Sequence, residues 1–223
     1  SLDDPWQVID TNLVGTVNLL ELARKTGISK FVLASSSSVY GANPPFPTPE
    51  DAPTDQPLQQ YAASKKAAEV MSHVYHHIYG MDITVFRYFT VYGPAGRPDL
   101  ALFRFVQWIA EGRLVKINGD GTQSRGFTFL DDIARGTIQG LRPVGYEIIN
   151  LGGHESISMN DLIAMIEDIL KKHANIIHAP YHKADIRNSL ADVSKARRVL
   201  GWEPKVPLEK GLVRTIEWIR SCS

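Results

Sequence analysis

The chain has 223 residues and carries 24 Lys and Arg against 24 Asp and Glu, so its formal net charge at pH 7 is zero. That balance offers no basic face for nucleic acid or an anionic membrane and points to small-molecule partners. The single cysteine, Cys222, excludes an internal disulfide framework and suits a reducing, cytoplasmic setting, and no run of 18 or more apolar residues could span a membrane.

Asp3 or Asp4 can cap a first helix with Pro5 at its first position, and Ile9, Leu13, Val17 and Leu20 recur at helical spacing until Gly27. Phe31-Val32-Leu33-Ala34 is a short apolar run leading into four serines, Ser35 to Ser38. It reads as a parallel strand covered on both faces, with the serines at its carboxyl end. After a proline-rich stretch from Pro44 to Pro57, residues 61–79 predict a helix closed by Gly80, and Ile83 to Phe89 a strand. Strand, helix and strand in this order imply a right-handed crossover in a parallel sheet. Farther on, a helix is expected near 100–112, strands at 115–117 and 126–129, a helix over about 131–141, and a strand at 146–150 that returns to the sheet. Ser158 with Asp161 three residues later predicts a capping box for a helix up to about His173. A short helix near 194–200 and a last one opened by Pro207 complete the chain. These elements predict an α/β chain of two lobes: a parallel-sheet lobe of 1–93 with 127–152, and a smaller lobe of 94–126 with 153–223. The strand carboxyl ends should face the crevice between them.

Tyr61 and Lys65 stand four residues apart at the start of a helix and project from one face. A nearby ammonium stabilises a phenolate, which equips a tyrosine to take a hydroxyl proton as general base. Such a pair alone is most often plain helix surface, and a serine cluster after a strand is most often a turn former. Together, strand end, serine, long loop and Tyr-x-x-x-Lys form an order that chance supplies rarely. A hydroxyl from Ser35 to Ser38 could then bind the same substrate oxygen. His73 and His77 share a helix face, but with no Asp, Glu or Cys partner nearby they read as solvated surface, and no metal site is expected.

Ala34-Ser35-Ser36-Ser37-Ser38-Val39-Tyr40-Gly41, Tyr61-Ala62-Ala63-Ser64-Lys65 and Arg87-Tyr88-Phe89-Thr90-Val91-Tyr92-Gly93-Pro94 in series resemble the extended short-chain dehydrogenase/reductases, in the nucleotide-sugar epimerase and dehydratase group. The resemblance covers essentially the whole chain. It implies the C-terminal half of a Rossmann-like doubly wound parallel sheet plus a small α/β substrate lobe. It also implies NAD as cofactor, a UDP-sugar as substrate, and a homodimer through helices 5–26 and 61–79. In that group the catalytic hydroxyl lies four residues before the Tyr of the Val-Tyr-Gly motif, which falls on Ser36. Tyr61 becomes the base, and Lys65 binds the nicotinamide ribose while tuning it. Tyr88 and Asn12 match cofactor-side positions, although Asn12 reads equally well as a helix polar residue bonded locally.

Ser37 and Ser38 stand where the related dehydratases carry Asp-Glu, and the missing glutamate at Ser38 also argues against UDP-glucuronate decarboxylases. The segment Thr90 to Asp99 resembles that of UDP-glucuronate 4-epimerases, whereas galactose epimerases usually have an asparagine at the position of Thr90. An arginine at 97 can grip a carboxylate with two N–H groups, assisted by Thr90 and Ser37. The segment Gly119 to Arg125 resembles the diphosphate segment, which makes Arg125 the phosphate clamp, although Gly126 stands where relatives carry aspartate. Asp185 matches a position near the nucleotide; His182, where relatives often carry arginine, reads as a nucleotide contact or as surface.

No G-x-G-x-x-G fingerprint occurs anywhere in the 223 residues. On the resemblance, that loop and about the first half of the sheet are missing, so a truncated chain of doubtful activity is expected. Its first strand should then offer an open edge, either pairing with another segment or leaving the first helix poorly packed. The leading expectation is a UDP-glucuronate 4-epimerase. The alternatives are a non-catalytic substrate-lobe fragment and a UDP-glucose/UDP-galactose 4-epimerase.

Overall fold

The computed structural model describes residues 4–153, 155–181 and 186–221. Asp4 caps helix α1 (Pro5–Ile9), its carboxylate accepting from the Gln7 N–H at 3.0 Å. The expected continuous first helix is instead broken by a π turn over Asp10–Val14 before α2 (Gly15–Lys25). The wider turn is held where the Thr16 hydroxyl donates to the Asn12 carbonyl at 2.6 Å and the Asn12 amide donates across to the Ser64 hydroxyl at 3.0 Å. Periodicity of apolar residues carries no trace of these two polar bonds.

Strand β1 (Lys30–Ser36), helix α3 (Gln60–Tyr79) and strand β2 (Asp82–Tyr88) form the expected crossover. Short strand β3 (Thr90–Tyr92) follows, then α4 (Ala101–Ala110), β4 (Leu114–Asn118), β5 (Ser124–Phe129), α5 (Leu130–Gln139) and β6 (Tyr146–Leu151). The remainder is β7 (Ser156–Ser158), α6 (Met159–Leu170), β8 (Asn175–Ala179), β9 (Asn188–Ser189), α7 (Ser194–Leu200) and α8 (Leu208–Ser221). Strands β1, β2 and β6 make a parallel sheet in that order, with Ser35 beside Arg87 and Arg87 beside Asn150. In a second sheet β5 pairs with β3, β7 and β9, while β4 and β8 form a parallel pair.

Strands β3, β7 and β9 are two or three residues long, too short to show an alternation. Strand β8 is almost wholly exposed and carries no burial pattern. Helix α6 opens on the expected Ser158 cap, but ends before His173 because Lys171 turns left-handed at φ 54°.

Two cores underlie the sheets. Helices α4, α6 and α8 bury Val106, Ile109, Leu162, Ile166 and Leu212 together with Phe129. On the three-stranded sheet, Phe86, Ile149 and Leu151 pack with Val39, Leu200 and Trp202. Helix α7 and Trp202 therefore rest on the first sheet, although the sequence places 153–223 in the second lobe. Among the described residues β1 has β2 as its one neighbour, and the first helical stretch leaves Trp6, Val14, Leu19 and Leu22 exposed. No described helix is long and apolar enough to cross a membrane.

Candidate active site

The parallel sheet delivers its strand ends to one side, and Ser36 and the Lys65 ammonium lie at that end of β1. Ser36 is the last residue of β1, half-buried beside Tyr88 in register. Its hydroxyl accepts the Ser38 N–H at 3.2 Å and bonds the Ser38 hydroxyl at 3.1 Å, capping a short 3-10 turn over Ser37–Tyr40. Ser37 is the first residue of that turn. Ser35, by contrast, is buried and donates to Glu69 at 2.5 Å. Strand alternation thus sends the neighbouring serines in opposite directions, which separates Ser36 from Ser35 as the group offered to a ligand.

Tyr61 and Lys65 lie one turn apart at the start of α3, with the Lys65 ammonium 5.9 Å from the Tyr61 ring centroid. That ammonium also donates to the Ala34 carbonyl at 2.9 Å, which ties the helix to β1 two residues before Ser36. Burial pushes the Lys65 pKa down, since the charged form loses hydration. Among the described residues the Tyr61 hydroxyl has no hydrogen-bond partner. Asn12 reaches the same helix from the π turn, and Ser64 passes the chain on by donating to the Tyr61 carbonyl at 2.8 Å.

Tyr88 is turned toward α5, its hydroxyl 2.9 Å from that of Thr137, and burial raises its pKa. Thr90 and Arg125 meet across a cavity of about 410 Å³, whose wall also includes Phe103, Lys116, Asn118 and Gln123. The Gln123 side-chain amide oxygen is buried with no partner among the described residues. Arg125 donates to the carbonyls of Ser124 and Arg187 at 2.8 and 3.1 Å. Arg97 stands on the exposed loop after β3, its guanidinium seated on Asp99 at 3.0 and 2.5 Å. The hydrogen bonds and charge of Asp99 raise the Arg97 pKa. His182 and Asp185 lie outside the described residues.

The sequence reading did not single out the polar layer directly beneath these groups. Glu69 and Arg87 are 1% and 2% exposed and form a two-bond ion pair, Nε to Oε1 at 3.0 Å and Nη2 to Oε2 at 2.8 Å. Tyr40 donates to Asn150 at 2.6 Å, and burial lifts its pKa to about 12. A signal was available: an arginine inside the apolar run Ile83 to Phe89, and an acid four residues beyond Lys65 on the same helix face.

The profile of the NAD dependent epimerase/dehydratase family matches residues 1–152. The UDP-glucuronate 4-epimerase of Thermodesulfobacterium geofontis is 55% identical over 220 residues, covering 98% of this chain and 68% of that protein. The crystal structure of UDP-glucuronic acid 4-epimerase from Bacillus cereus, in complex with UDP-glucuronic acid and NAD, superposes with a TM-score of 0.89 at 37% identity, over 95% of this chain and 68% of that one. UDP-glucose 4-epimerase from Thermotoga maritima, with UDP-glucose, gives a TM-score of 0.94 at 32% identity, over 99% and 72%.

Proposed function

Because this chain belongs to the NAD dependent epimerase/dehydratase family, we propose that it inverts C4 of a UDP-sugar, with UDP-glucuronate and UDP-galacturonate as the interconverted pair. The observation that carries the reading is Ser36 at the carboxyl end of β1 with the Lys65 ammonium tied to the Ala34 carbonyl of the same strand end and lying beside the Tyr61 ring. The ammonium of Lys65, with two N–H groups left beside the Tyr61 phenol, fits the ribose hydroxyls of a nicotinamide nucleoside. The 223 residues supply this nicotinamide side and no glycine-rich cradle for a dinucleotide diphosphate. NAD, when bound, supplies a reversible acceptor for the C4 hydride.

Within that frame Tyr61 takes the C4 hydroxyl proton, and Ser36 donates a hydrogen bond to the same oxygen as it becomes a carbonyl. Lys65 keeps positive charge beside the phenol and so favours its ionised form. The sugar then turns about its diphosphate, which Arg125 holds at the cavity, and presents its other face. The polar edge of the cavity at Asn118 suits a base with N–H donors. An assay of UDP-glucuronate conversion by the chain with added NAD, read by chromatography of the two uronates, tests the assignment; no conversion by a chain that demonstrably retains NAD would refute it.

Arg97 supports the uronate. Its fork is already occupied by the Asp99 carboxylate through two N–H groups, the geometry a C6 carboxylate would take in exchange. Holding that group turned away from the C4 ketone also suppresses loss of carbon dioxide from the β-keto acid. Arg97→Leu is therefore expected to lower kcat/KM for UDP-glucuronate by about 10- to 100-fold, the loss of one charge-assisted pair. Turnover of UDP-glucose should be unaffected. Equal losses on both sugars would remove the carboxylate role.

The homodimer belongs to the same reading. Val70, Val74 and Ile78 form an exposed stripe at i, i+4 and i+8 on α3, next to exposed Leu19 and Leu22 on α2. Such a stripe is what two helix pairs bury against each other. In sedimentation, the unaltered chain should run at twice its formula mass, and Val74→Glu with Ile78→Glu at the monomer mass. A monomeric unaltered chain would dismiss the interface. The cytoplasmic setting rests on the single cysteine.

A further inference from the structure

The Glu69–Arg87 pair lies beneath the site, is not used in the chemistry above, and is the most buried ion pair among the described residues. Glu69 continues the α3 face that carries Tyr61 and Lys65, at i, i+4 and i+8. Its carboxylate accepts from the Ser35 hydroxyl at 2.5 Å and from Arg87 twice, with the Lys66 ammonium 3.5 Å away. Ser35 immediately precedes Ser36. On the other side, Arg87 donates to the Glu50 carbonyl at 2.9 Å and places its guanidinium 4.8 Å from the centre of the Tyr40 ring, four residues after Ser36. Both flanks of Ser36 and the helix bearing Tyr61 and Lys65 are thus tied to the same two side chains.

Burial alone would raise the Glu69 pKa, but the hydrogen bonds and charge of Arg87, with Ser35, outweigh it and hold the carboxyl below its ordinary value. Both groups are ionised. Taking two charges out of water is expensive, and a well-packed apolar pair of similar volume stabilises a fold as well or better. Apart from single bonds from Lys65 to the Ala34 carbonyl and from the Tyr146 hydroxyl to the Glu69 carbonyl, the remaining contacts between α3 and the sheet are apolar, through Leu33, Ala68, Tyr75, Ile83 and Val85, and these are non-directional. A two-bond fork fixes distance and rotation at once, which apolar contact does not.

We propose that Glu69 and Arg87 are positioning residues that hold Ser36 on β1 in register with Tyr61 and Lys65 on α3. The inference rests on the catalytic reading of those three residues. Its test replaces the ion pair by an uncharged one, E69L/R87M, and first measures amide hydrogen exchange on the unliganded chain, which needs no turnover. The double variant should melt within a few degrees of the parent, whereas residues 36–40 and 60–65 should exchange at least about tenfold faster with β2 still protected. Where turnover is measured, kcat should fall about 100-fold with KM within twofold, as expected when reacting groups are displaced by about an ångström. Unchanged exchange in a folded double variant overturns the proposal, as does a uniform rise across the sheet. If the double variant does not fold, Ser35→Ala, which leaves the ion pair intact, must still speed exchange at 36–40 or the proposal is wrong. Tyr61→Phe separates the two levels: full turnover by that variant would refute the catalytic reading itself rather than the positioning.

Discussion

Replacing Tyr61 with phenylalanine is expected to lower kcat for C4 epimerisation by about 10³-fold, within the range that a positioned general base contributes. The physical case is local. Lys65 alone of the described ammonium groups sits over this ring, 5.9 Å from its centroid, and its bond to the Ala34 carbonyl keeps it there. Removing the phenol oxygen deletes the group that accepts the proton and leaves the ring, the helix and the lysine in place. Because the hydroxyl has no partner among the described residues, its removal orphans no buried polar atom, and the melting temperature should stay within about 1 °C. UDP-sugar affinity should also hold, since the cavity of Thr90 and Arg125 does not include residue 61. Calorimetric titration with UDP-glucuronate and a turnover assay on the same preparation decide it. A variant that binds weakly but turns over normally would reverse the assignment.

The largest effect on stability should come from Trp202→Ala. Trp202 is fully buried between the first sheet and α5, its indole N–H donating to the Asp132 carbonyl at 2.8 Å. The slot exists because residue 136 is glycine: a Cβ there would come within 2.8 Å of the indole nitrogen. Around it, the Asp132 carboxylate accepts the backbone N–H groups of Lys205 and Val206 and pairs with Arg135, so the turn after α7 is fastened to the start of α5. Deleting a buried indole removes its transfer free energy and leaves a cavity, together about 3–5 kcal/mol. For a chain of this size each kcal/mol shifts the midpoint by about 2–4 °C, so thermal melting should drop by about 6–20 °C. Trp202→Phe should lose less, because most of the volume stays. Equal melting of parent and alanine variant would mean that α7 and Trp202 are not fastened to the sheet as described.

These two residues show how unevenly the site and the fold were legible beforehand. Spacing alone put Tyr61 and Lys65 on one helix face, because a helix places residues four apart together whatever surrounds it. Only the strand end, serine cluster and long loop before them singled the pair out. Ser36 needed the family resemblance, since four adjacent serines look alike in sequence. The strand then separates them, turning Ser35 inward to Glu69 and leaving Ser36 at the strand end. Trp202 read as a packing element, but its partner could not be read, because Gly136 and Asp132 lie far from it in the chain. The π turn at Asn12 was invisible for the same reason, its cause being a hydrogen bond to Ser64 on another helix.

What the amino-acid order determined by itself is local: the apolar run that becomes β1, the Tyr-x-x-x-Lys face of α3, the crossover into β2, and the capping box at Ser158. Each follows from the period of a helix or strand and from residues within a few positions of one another. The tertiary structure alone decided which groups face each other. It set Arg87 on Glu69 between the helix of Tyr61 and Lys65 and the strand of Ser36, brought Thr90 and Arg125 to one cavity, and packed α7 on the first sheet instead of the second lobe. Those arrangements depend on sheet register and on close packing between distant segments, where a buried charge or indole finds its partner only after the chain has folded.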